Sequence, residues 1–135
     1  MTPESAPIRS EPESPSPGLS DASTTVSELR LAMARFVDER DWSRFHRPKH
    51  LAMSVAIEAA ELMEHFQWFD AGQAPAETGD PAALVAVGEE MADVLAYLLS
   101  LANSLDIDLA ATFERKMVRN REKYPAEQFR GRATR

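Results

Sequence analysis

At 135 residues and a net charge of −7, the chain fits a single domain and argues against general nucleic-acid binding, which rests on a basic surface. It contains no cysteine, which excludes disulfides and thiolate metal sites and suits a reducing compartment, with the cytoplasm as the expected location. No stretch reaches the length of about 18 uncharged residues that a membrane helix needs, so no membrane partner is expected.

Residues 1–24 carry Pro3, Pro7, Pro12, Pro15 and Pro17 among Ser, Glu and Thr, with almost no large apolar residues. Such a leader cannot bury enough surface to offset its ordering entropy, so disorder is expected. It also lacks the basic start and apolar run of a secretory signal. The first helix is expected over 26–40, opened by a capping box from Thr25 and Glu28 and striped by Leu29, Met33, Phe36 and Val37. A connector, DWSRFHRP (41–48), leads to a second helix that starts near Pro48 and runs to 69. Gly72, Pro75 and Gly79 make 70–80 a turn region. Asp80 caps a third helix, with Pro81 in its first turn, that runs to 105. Asp108 caps a fourth, which stops before Pro125, and a basic tail occupies 126–135.

No strand pattern competes, so the chain reads as all-α, a four-helix bundle over 25–125. The helices are apolar over wider arcs than one small bundle needs. About 100 ordered residues limit the core of a single chain. Burial between subunits is therefore expected, in a homo-oligomer of two or four chains.

Two acid pairs stand inside apolar helical runs: Glu58 with Glu61, and Glu90 with Asp93. Residues three apart share a helix face. Glu90 also shares its stripe with Val87, Val94 and Tyr97. An ionised carboxylate in such a place costs several kcal/mol unless a cation sits beside it. Nearby Lys and Arg are too few, and a bound divalent cation answers the need. Acids three apart are also common on solvated helix faces, and a lone pair would mean nothing. Four oxygen donors favour a hard ion: Mg²⁺, Mn²⁺ or Ca²⁺. A di-iron carboxylate bundle requires Glu-x-x-His on two helices. Here His65 follows Glu61 by four, and the third helix has no histidine. His46 and His50 are separated by Pro48 at a helix start, which suits zinc poorly. His46 reads either as a local hydrogen-bonding residue of the connector or as a pocket lining.

The combined motifs resemble the MazG-like, all-α nucleoside triphosphate pyrophosphatases. EAAE (58–61), a 28-residue spacer and EMAD (90–93) resemble their ExxE…ExxD signature. ERDW (39–42), FHRPKHL (45–51), ELMEHFQW (61–68), EEMADVLAYL (89–98) and KMVRNREKYP (116–125) look like the dCTP pyrophosphatase branch. The resemblance covers about residues 26–125. It implies cleavage of a nucleoside triphosphate between the α- and β-phosphates, giving the monophosphate and pyrophosphate in nucleotide-pool cleansing. It also implies Mg²⁺, with Mn²⁺ as a substitute, on Glu58, Glu61, Glu90 and Asp93. By position, Lys116, Asn120 and Tyr124 match a phosphate-binding KxxxNxxxY pattern, expected as one face of the fourth helix. Trp42, Trp68 and Tyr97, with His46 beside them, match the base pocket; without the resemblance, each aromatic taken alone reads as core packing.

Glu61 is the expected base or water-orienting group, a role the sequence does not separate from ligation. The helix-two motif departs from the family's usual G-E-x-G-E, since Ile57 and Ala60 stand at the glycine positions. Met33 stands where relatives carry a polar group near the base. The expected substrate is dCTP or a related, modified dNTP. A broad MazG-type activity, a catalytically silent nucleotide-binding module and a purely structural helical oligomer are the alternatives.

Overall fold

A computed structural model describes residues 18–132. Most of the expected leader and the last three residues of the tail lie outside them. The described end of the leader is a turn in which the Ser23 and Thr24 N–H groups donate to the Ser20 carbonyl at 3.1 and 2.9 Å.

Five helices follow: α1 Val26–Asp38, α2 Pro48–Glu64, α3 Pro81–Leu105, α4 Leu109–Lys123 and the single turn α5 Ala126–Phe129. Among the described residues there is no strand. The start signals act as the side-chain chemistry requires. Thr25 Oγ1 accepts from the Glu28 N–H at 3.2 Å, and the Glu28 carboxylate accepts from the Thr25 N–H at 2.7 Å. The Thr25 N–H and then the Thr25 hydroxyl, both donating to it, hold the Glu28 carboxyl below the usual glutamate range. Asp80 Oδ1 accepts from the Ala82 and Ala83 N–H groups at 2.9 and 3.1 Å, and Asp108 Oδ1 from Ala111 at 2.9 Å.

The stops differ from the sequence expectation. Helix α1 ends at Asp38 rather than 40, because Asp41 takes φ 52° and the Trp42 N–H turns back to the Val37 carbonyl at 3.0 Å. Helix α2 ends at Glu64 rather than 69. Beyond it the Phe66 and Gln67 N–H groups both donate to the Met63 carbonyl, which tightens the chain into turns. Apolar periodicity continues through Phe66 and Phe69, so the pattern alone does not mark this stop.

The architecture is a three-helix packing rather than a closed four-helix bundle within one chain. Helix α2 packs along α3, and α1 packs on α3, while α4 makes at most marginal contact with the others. Helices α2 and α3 run antiparallel: the end of α2 reaches Glu90 through His65, and its middle reaches Asp93 through Glu58. The buried core is Leu51, Ala74, Val87, Leu99 and Ala102. Met53, Ile57, Leu84, Val85, Met91 and Leu95 remain exposed. A polar staple fastens α1 to α3. Arg30 Nε donates to Asn103 Oδ1 at 2.9 Å, and Asn103 Nδ2 donates back to the Arg30 carbonyl at 2.9 Å.

Asn103→Leu removes both bonds and leaves Arg30 only the Ala102 carbonyl, which its guanidinium meets at 3.3 Å. A loss of about 1–3 kcal/mol in urea unfolding is expected. A loss no larger than a surface substitution gives would mean that the staple adds nothing to the α1–α3 contact.

Candidate metal centre

Three of the four acids converge. One carboxylate oxygen each from Glu58, Glu90 and Asp93 lie within 4.8 Å of one another. Glu58 and Glu90 are half-buried and Asp93 is exposed. The juxtaposition follows from packing. Glu58 lies on the α2 side of the α2–α3 contact, and Glu90 and Asp93 lie one turn apart on α3. Glu61 stays outside the converging group and is exposed, one turn further along α2. Its charge still reaches the cluster. Partial desolvation, then Glu61, Asp93 and Glu90, push the Glu58 carboxyl above the ordinary glutamate range. Among the described residues no Lys or Arg approaches any of the four acids within ion-pair distance.

This donor set fits a hard divalent cation. Its donors are carboxylate oxygens, their spacing suits a shared ion, and their mutual repulsion lacks an internal cation. The soft-metal alternatives have no thiolate here.

The aromatic candidates are dispersed. Trp42 follows α1, stacks on His46 with ring centroids 6.4 Å apart and meets Phe36 edge-on at 5.9 Å. His46 Nδ1 lies 3.0 Å from the Trp42 carbonyl. A carbonyl only accepts, so Nδ1 is the donor and Nε2 is the ring nitrogen left for other partners. Trp68 stands in the turn after α2 and is 79% exposed. Tyr97 is half-buried on α3. A cavity of about 480 Å³ opens between α1, the α1–α2 connector and the far end of α3, lined among others by Met33, Val37, His46 and Ser100. Of the four base-pocket candidates only His46 lines it.

The phosphate candidates sit on α4 and just past it. Lys116 is exposed, and Asn120 is half-buried with its amide 3.8 Å from Met117 Sδ. The helix stops at Lys123, so Tyr124 does not continue that helix face. Its backbone leaves the helical region, and its ring meets Phe129 edge-on at 5.3 Å. The marginal packing of α4 does not carry these residues onto the acids within one chain.

Sequence reasoning passed over two features. His65 Nε2 lies 3.9 Å from Glu90 Oε1. Ser100 is buried with its hydroxyl unpaired. The unbroken apolar run around Ser100 was the available signal, since a lone serine there requires a partner.

The MazG-like family model matches residues 53–135, and the chain belongs to that family. It is similar to dCTP pyrophosphatase 1 of Rattus norvegicus, at 38% identity over 109 residues, 81% of this chain and 64% of that protein. With dCTP pyrophosphatase 1 of Homo sapiens the identity is 39% over 102 residues, 76% of this chain and 60% of that protein. The chain therefore spans somewhat less than two thirds of the length of these relatives. Among solved structures, a pyrophosphatase from Archaeoglobus fulgidus superposes with a TM-score of 0.67 and 41% identity, covering 73% of this chain and 91% of that one.

Replacing Glu58 by Gln separates stability from binding. It removes a like-charge neighbour, so the metal-free protein should melt at the same temperature or slightly higher, by a few tenths of a kcal/mol per neighbour. Mg²⁺ should raise the melting temperature of the native chain and leave that of the variant unchanged. A preserved Mg²⁺ shift in Glu58→Gln would remove Glu58 from the centre.

Proposed function

We propose that the chain is a divalent-metal-dependent nucleoside triphosphate pyrophosphohydrolase that converts dCTP, or a related modified dNTP, to the monophosphate and pyrophosphate. The carrying observation is the convergence of Glu58, Glu90 and Asp93 oxygens within 4.8 Å on two packed helices. The named activity of the rat and human relatives supports the reaction and the base.

Glu58, Glu90 and Asp93 hold Mg²⁺, with Mn²⁺ as a substitute. The ion supplies charge neutralisation at the α-phosphate and a water acidic enough to ionise near neutral pH. Glu61, on the same helix as Glu58 and outside the converging group, would orient the attacking water and take its proton. Its exposure leaves room for a substrate beside it. In-line attack at the α-phosphorus breaks the bond to the β-phosphate, and pyrophosphate leaves. Lys116 and Asn120 offset the charge of the leaving phosphates, with Tyr124 beside them.

The nucleobase occupies the cavity that His46 lines, with Trp42 stacked on the His46 ring rather than on the base, and Trp68 and Tyr97 outside the cavity lining. Ser100 on the cavity wall is seven positions beyond Asp93 on α3, two turns along the same face and about 10 Å away. That separation matches a nucleoside bridging the two places.

A homo-oligomer completes the site. Met53, Ile57, Leu84, Val85, Met91 and Leu95 are exposed on α2 and α3, and clustered exposed apolar side chains mark interaction surfaces. A second chain seated on them can bring an α4 basic face to the acids.

Incubation with dCTP and Mg²⁺ should release dCMP and pyrophosphate. Orthophosphate as the first product would sink the α-phosphate assignment. Glu61→Gln should lower kcat by about 100-fold or more while Mg²⁺ still stabilises the fold. A panel of canonical and modified dNTPs decides between dCTP preference and the broad activity. Binding of dCTP without turnover would instead mark a silent nucleotide-binding module. Sedimentation should give a dimer or tetramer mass, and a monomer at micromolar concentration would overturn the shared site.

A further inference from the structure

His65 stands against the acids without belonging to their motif. It caps the C-terminal end of α2, and its Nε2 is 3.9 Å from Glu90 Oε1, with side-chain exposures of 30% and 22%. Among the described residues it is the one basic side chain within ion-pair distance of any of the four acids. A separation of 3.9 Å exceeds a hydrogen bond. A modest side-chain adjustment closes it once Glu90 is drawn into a fixed orientation.

We propose that His65 is a positioning residue for the metal centre: its ring N–H holds one oxygen of Glu90 so that the other faces the cation with Glu58 and Asp93. This rests on the metal centre of the proposed function. A ligating carboxylate that is free to rotate loses entropy on binding, and a fixed donor on its second oxygen removes that cost. Such outer partners change metal affinity by about 10–100-fold. The carboxylate selects the tautomer with the proton on Nε2. An imidazole carries an N–H whether neutral or protonated, so the contact does not require a charged ring.

Direct ligation is the weaker account. Glu58, Glu90 and Asp93 form their group without His65, and hard cations favour oxygen over imidazole. A structural role is the other account. A histidine at a helix C-terminus interacts favourably with the helix dipole. That role stabilises the metal-free protein and is indifferent to the ion.

The two accounts separate in one titration. Mn²⁺ is added to the nucleotide-free full chain, and free Mn²⁺ is read from its electron paramagnetic resonance signal. His65→Leu should weaken Mn²⁺ binding by about 10-fold or more. His65→Gln keeps a donor at similar reach and should stay within a few-fold of the native chain. The metal-free melting temperatures of both variants should match the native value. Native-like Mn²⁺ affinity in His65→Leu overturns the proposal, as does equal weakening in both variants or a fall in metal-free melting temperature that accompanies the weaker binding. Glu90→Gln is the control for the centre itself. Unchanged Mn²⁺ binding there overturns the ligand set, and the role of His65 with it, on separate grounds.

Discussion

The packing of α2 along α3 is the contact on which the rest depends. It buries Leu51, Val87, Leu99 and Ala102 and leaves the acid faces no choice but to meet. Apolar burial of this kind contributes about 25 cal/mol per Å². It outweighs the repulsion among carboxylates that still reach water on one side. The repulsion is nevertheless recorded in the molecule. Glu58 resists ionisation, through partial desolvation and through Glu61, Asp93 and Glu90. A helix pair that only had to fold would place a lysine or arginine in that cleft. This one keeps the anionic cluster without a lysine or arginine beside it, the arrangement that the proposed cation site requires.

The second constraint is the small size of the core. Among the described residues five hydrophobic side chains are buried, whereas many large apolar side chains on α2, α3 and α4 face outward. Helix α4 has no buried residue and an arginine-rich sequence. Its apolar and basic positions have little to act on within one chain. The expected four-helix bundle fails for that reason: α4 lacks a partner in its own chain rather than the propensity to be helical. The proposed oligomer would reconcile the convergent acids with the basic face of α4.

Local chemistry was legible in the sequence, and geometry across elements was not. Thr25 with Glu28, Asp80 and Asp108 are all caps in the structure, because a cap depends on residues three positions away at most. The acid spacing predicted a shared face, and three of four oxygens meet there. The stop at Glu64 was hidden, since backbone N–H groups returning to the Met63 carbonyl leave no mark in apolar periodicity. Tyr124 fitted the i, i+4, i+8 pattern but sits where the chain has already left the helix before Pro125. His65 carried no signal of its own. Its still-helical backbone at the α2 C-cap carries it beside Glu90, whereas the spacing from Glu61 pointed elsewhere.

The face of α3 orders its chemistry along one line. Glu90 and Asp93 come first, then Tyr97, then Ser100 at the cavity, all within one helical stripe. Polarity along that line falls from charged to phenolic to a buried hydroxyl. A nucleotide falls in polarity the same way, from phosphate through sugar to base. The Ser100 hydroxyl is unpaired in the fold, and such a group costs about 1–3 kcal/mol when left so. A serine in an apolar run at that cost needs a compensating contact. In the proposed reaction the bound base would lie against this part of the cavity wall, and the α3 stripe would be the axis along which substrate is aligned.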